Sequence, residues 1–190
     1  MNRLTYILSI LIVIFVSSVF SFAQEEGLSI LVKSEYFTLY SQRDIDTYSL
    51  LKKLNLDYFL HPDTLLKKDK QASTDILAKV LDSLYLEVSD ILDIHIYSFH
   101  GTIKILPDQD SVNSMFKELF RYDFNERSFY VHEKNTIYIS SSDLTLGMLG
   151  HEIAHAIISH YFVVPPPVKI QEVLAGYVEY SLRKSTGTLP

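Results

Sequence analysis

The chain contains no cysteine and no tryptophan among its 190 residues, and only six glycines. The absence of cysteine rules out a disulfide staple, a thiolate nucleophile and a thiolate metal ligand. Any metal site must therefore be built from histidine and carboxylates. Basic runs are equally scarce. Lys52-Lys53 and Lys67-Lys68 are isolated pairs, and the formal net charge is −6. That balance excludes the basic footprint of a nucleic-acid binder and predicts no nucleic-acid partner. No internal repeat occurs, and the only low-complexity tract is Pro165-Pro166-Pro167. Against these absences stand 47% hydrophobic, 13% aromatic and 21% charged residues, enough apolar material to close a packed core. The length fits one domain.

The one long apolar run lies at the N-terminus. Arg3 precedes Leu4 to Phe20, an uncharged stretch, and Ser21-Phe22-Ala23 places small residues where a signal peptidase reads. Residues 1–23 are expected to be a signal peptide cleaved after Ala23, leaving one domain over 24–190 that is exported to a periplasm or the cell exterior. The alternative is an uncleaved anchor, because this 17-residue stretch approaches the length needed to span a bilayer. A membrane partner is expected only in that case. Removing the segment takes away one arginine and no acid, so the mature chain carries −7.

Hydrophobic spacing predicts the elements of an α+β domain with a small mixed or antiparallel sheet and helices packed on one side. Strands are expected over 34–40 and 102–106. A hairpin is expected from 128–131 and 136–139 around the polar turn His132-Glu133-Lys134-Asn135. Residues 44–54 suit a helix, and 55–73, with His61-Pro62-Asp63, reads as loop or short helices. The clearest helix is 74–93, with Leu77, Val80, Leu81, Leu84, Val88 and Ile91 on one face. Asp110 or Ser111 is expected to cap a short helix carrying Val112, Met115, Phe116 and Leu119. Caps among Ser140 to Asp143 open a helix over 144–161, apolar on nearly every side and hence buried. The proline triplet breaks the chain. A last helix at 168–184 is expected to turn Ile170, Val173, Leu174, Tyr177, Val178 and Ser181 inward.

His151-Glu152-Ile153-Ala154-His155 carries the chemistry. Residues four apart on a helix sit one turn apart on the same face, so two imidazoles can reach one Zn²⁺ at about 2.0–2.1 Å. Glu152 lies beside that face, placed to act on water as a base rather than to bind the ion. Burying two histidines and a glutamate in so apolar a helix without a partner is costly, and a metal supplies the partner. A catalytic zinc site takes three protein ligands. Glu172 is the candidate third, 17 residues after His155 and across the proline break. It lies off the expected inward stripe. Ala175 and Gly176 share its face and are expected to let the last helix approach closely.

These residues resemble the gluzincin metallopeptidases. His151-Glu152-x-x-His155 followed by Glu172-Val173-Leu174-Ala175-Gly176-Tyr177 is similar to the peptidase MA-like and minigluzincin type, whose metal helix is followed by a glutamate helix. The order of upstream elements extends the likeness over most of 30–184. The resemblance implies a zincin-like fold and a hydrolase acting on a peptide or protein substrate. It implies Zn²⁺ as cofactor, with His151, His155 and Glu172 as ligands and Glu152 as general base and proton shuttle. It also implies that the hairpin strand pairs with an extended substrate. Two departures stand out. The family's acid four residues after the glutamate ligand is Gly176 here, with Glu179 an imperfect substitute expected at the surface. Larger gluzincins also draw an oxyanion-stabilising Tyr or His from a C-terminal subdomain, expected to be missing here. Tyr177, Tyr180 and His160 are the nearby candidates, each better suited to packing or surface roles. The alternative to an active enzyme is a zinc-binding or scaffold domain that has lost turnover. The sequence carries no sign of substrate specificity or oligomeric state.

Overall fold

A computed structural model describes residues 27–42, 45–55, 58, 70–123 and 125–189. The expected signal segment and most of the 55–73 connection, including His61, lie outside the described residues. Five strands form one mixed sheet: β1 (Leu28–Lys33), β2 (Phe37–Gln42), β3 (Gly101–Leu106), β4 (Ser128–Val131) and β5 (Thr136–Ser140). Their spatial order is β1-β2-β3-β5-β4. The inner pairs β2–β3 and β3–β5 are parallel, and the outer pairs β1–β2 and β4–β5 are antiparallel. Five helices accompany the sheet among the described residues: α1 (Thr47–Lys53), α2 (Lys70–Leu92), α3 (Gln109–Phe120), α4 (Leu146–Tyr161) and α5 (Val168–Ser185). None of them is long and apolar enough to cross a membrane.

The two-residue period of the strands divides the core. Ile103 and Ile105 of β3 and Ile137 and Ile139 of β5 pack with Leu77, Leu81 and Leu84 of α2 and with Ile153 and Ile157 of α4. Leu106, Phe129, Val131 and Tyr138 face the other way, against Val112, Met115 and Phe116 of α3. Helices therefore cover both faces, not one as expected, and every residue of β5 is buried. The short α3 has too few apolar positions to announce a second layer. Its N-cap is Asp108, whose carboxylate accepts from Ser111 N, rather than Asp110 or Ser111. The first expected strand begins three residues late, at Phe37, because Ser34 to Tyr36 form the turn from β1, a strand not expected from the sequence.

The α4–α5 packing departs most from expectation. The buried residues of α5 are Ala175, Val178 and Leu182, while Ile170, Val173 and Tyr177 are exposed. Of the expected inward set only Val178 is fully buried, and the large side chains face out. Close approach comes from α4. A β-carbon at Gly150 would clash with Leu182 Cδ1, and one at Gly147 would lie 3.0 Å from Arg183 Cγ and 3.2 Å from Glu179 Cγ. Gly176, expected to serve this role, has nothing within 4 Å of where a β-carbon would stand. Leu182 is fully buried and must shift to admit a β-carbon, so Gly150→Ala should cost about 1–3 kcal/mol, read as a lower urea midpoint. Gly176→Ala should instead gain up to about 1 kcal/mol from helix propensity. Equal effects at the two positions would contradict this packing.

Candidate metal centre

The strand-to-helix turn sets the register of α4. Ser140 Oγ and Ser142 Oγ donate to Asp143 Oδ2 at 2.6 and 2.7 Å, and Arg127 Nε lies 3.7 Å from Asp143 Oδ1. Lys53 reaches across from α1 to the carbonyls of Ser141 and Ser142. The helix then opens at Thr145, whose hydroxyl accepts from Met148 N, not at the serine cluster. Ser140 and Asp143 are committed to each other, which leaves Thr145 the cap.

Two turns into α4, His151 and His155 bring their Nε2 atoms to 3.1 Å. Glu172 of α5 faces both. Its Oε2 is 3.5 Å from His151 Nε2 and its Oε1 is 3.4 Å from His155 Nε2. One ligand atom from each of the three side chains falls within 4.8 Å of the others. Glu172 occupies the second turn of α5, on the side that packs toward the α4 histidines. Burial and the neighbouring His151 push the His155 imidazole below its ordinary value, against the pull of Glu172. A neutral imidazole is the form that ligates a metal. Two imidazoles whose Nε2 atoms meet at one gap, faced by a carboxylate, fit a divalent cation of the zinc type.

Glu152 is almost wholly buried. Ser128 Oγ, at the start of β4, donates to its Oε1 at 2.7 Å. Burial pushes the Glu152 carboxyl up to about 8, opposed by the Ser128 hydrogen bond and reinforced by Glu172, Glu179 and Glu126. Glu152 lies where two cavities meet. One is a polar cleft of about 1010 Å³ that also reaches Arg127, Asp143, His151 and Arg183. The other, about 330 Å³, is lined by Phe129, Tyr130, His132, His155 and Gln171.

Glu179 corrects a second expectation. It is not simply a surface residue. Its Oε2 lies 3.4 Å from His151 Nδ1, and its Oε1 lies 3.6 Å from Arg183. His151 Nδ1 is otherwise buried without a hydrogen bond. The signal was legible, since Glu172 and Glu179 are seven apart and so share a helix face. Ser128 was missed as well, although strand alternation places it with Tyr130 on the side that meets α4. His160 is engaged elsewhere, with Nδ1 2.9 Å from Ala156 O and 3.3 Å from Tyr130 Oη. Tyr177 and Tyr180 are exposed. None of these three touches the histidine pair.

Compared with known proteins, the chain matches no family model, no curated protein and no solved structure.

Two outcomes follow. Glu179→Gln should lower zinc affinity about 10–100-fold by competition with a chelator dye, and unchanged affinity would mean that His151 needs no support there. Hydrogen bonds from Ser140 and Ser142 hold the Asp143 carboxyl below its ordinary 3.8. A depressed folded value gives stability that is present above 3.8 and fades as pH falls through the lower folded value. Asp143→Ala should therefore destabilise the protein at neutral pH, and the gap in melting temperature should close as the solution is acidified below 3.8. A gap independent of pH would contradict it.

Proposed function

We propose that this protein is an exported zinc metallopeptidase of gluzincin-like design. The observation that carries the reading is the convergence of His151, His155 and Glu172 from two packed helices, with the buried carboxylate of Glu152 at the junction of two cavities. Zinc held by those three side chains would supply Lewis-acid polarisation of water and of a scissile carbonyl.

The chain's own groups account for the rest. Glu152, adjacent in sequence to a ligand but turned toward β4, accepts a proton from the attacking water and returns it to the leaving amine. Its raised affinity for protons suits the second half of that cycle, and Ser128 holds the carboxylate against rotation. β4 ends the sheet, so its outer edge offers backbone groups to an extended polypeptide. The polar cleft and the smaller pocket would take the substrate on either side of the cleaved bond. Export rests on the N-terminal apolar segment and its small-residue cleavage site, with a membrane-anchored form the alternative. The reading as a zinc-binding domain without turnover drew on Gly176. Glu179 supplies a carboxylate to His151 from one turn further on, which weakens that ground.

The test is cleavage of a mixed peptide library by the zinc-loaded protein. Wild type should cut, and Glu152→Gln should bind zinc equally while losing at least about 10²-fold in rate. Glu172→Ala should lose most of its zinc. Cleavage that survives Glu152→Gln would remove the proposed base. Zinc bound by wild type without any cleavage would favour the degenerate reading.

A further inference from the structure

Helix α5 carries three stripes. Ala175, Val178 and Leu182 enter the core, and Glu172, Glu179 and Arg183 line the metal side. The third stripe is exposed and apolar: Val173, Tyr177 and Tyr180, spaced four and three apart, with Lys169 and Lys184 at its two ends. It is continuous in sequence with the α4–α5 connection, where Val163 is 101% and Val164 80% exposed. Among the described residues, nine of the seventeen exposed large hydrophobics fall between Tyr161 and Tyr180, so apolar exposure is concentrated in this one stretch. Pro165, Pro166 and Pro167 restrict the backbone behind the valines and hold the tip out.

We propose that this tip and stripe form a lipid-docking surface that seats the protein on an anionic bilayer. Near-complete exposure of two adjacent valines describes a convex tip, a shape that enters a soft phase. Tyrosines beside it place rings at the headgroup level with their hydroxyls in water. Lys169 and Lys184 flank the stripe in a chain whose net charge is −6, so this face is basic where the whole is acidic. The acids of α5, Glu172 and Glu179, are turned to the histidines. Docking does not depend on metal or turnover. Its consequence rests on the peptidase reading: the metal-side stripe adjoins the lipid-side stripe, so polypeptides held close to a membrane are the favoured substrate class.

The chain lacks tryptophan, which makes a local reporter available. Val163→Trp in the full chain should shift its emission to the blue with vesicles of mixed phosphatidylglycerol and phosphatidylcholine. Brominated acyl chains should quench it. Tyr97→Trp, at a site 76% exposed and outside this stretch, should do neither. Adding Val164→Asp should weaken the vesicle response roughly tenfold. The reporter reads the tip itself, so retention of residues 1–23 does not imitate docking. Unchanged emission of Val163→Trp with vesicles would overturn the proposal. So would a blue shift without vesicles that grows with protein concentration, which would mark a second copy as the occupant. A peptidase-inactive protein that still gives the vesicle response would keep docking and remove only the proposed chemistry.

Discussion

The close packing of α4 on α5 is the constraint on which the rest of the site depends. Neither helix holds all three side chains of the cluster. His151 and His155 share a face of α4, and the third group arrives only if α5 lies near enough for Glu172 to reach both. Gly147 and Gly150 remove the side chains that would stand between the helices, and Ala175, Val178 and Leu182 fill the contact. Apolar burial thus provides the energy that holds a carboxylate beside two imidazoles, and the proline-broken connection fixes where α5 begins. The site is a consequence of core packing more than of local helix chemistry.

The same contact brings together groups that sit poorly without a partner. His151 and His155 aim nitrogens at one gap, and Glu152 is a buried carboxylate with a single side-chain hydrogen bond. Taking such groups out of water without a compensating cation costs stability. Burial raises the affinity of Glu152 for a proton, and the proposed chemistry uses that carboxylate as the proton carrier. Structural cost and proposed chemical use therefore have one origin.

Much of this could be read from sequence, and the failures have physical causes. The α4 helix was legible because its apolar residues surround it, and α2 because Leu77, Val80, Leu81, Leu84 and Val88 repeat at helical spacing. The hairpin was legible from a polar turn between two β-rich runs, and β4 and β5 pair as expected. The face of α5 was misread because the larger apolar residues were assigned to the core. The buried contact instead needs small residues opposite two glycines, which leaves Val173 and Tyr177 outside. Strand β1 was not legible because Ile30-Leu31-Val32 is a short apolar run without alternation, interrupted by a bulge and with only Val32 fully buried. The α4 cap falls at Thr145 and not among Ser140 to Asp143 because Ser140, Ser142 and Asp143 hydrogen-bond one another.

X-ray absorption at the zinc edge of the metal-loaded protein tests the central claim most directly. The account predicts two imidazole nitrogens at about 2.0–2.1 Å with the remaining ligands oxygen, and one imidazole fewer in His155→Ala. A shell without imidazole, or one unchanged by that substitution, would show that the metal is not held between α4 and α5.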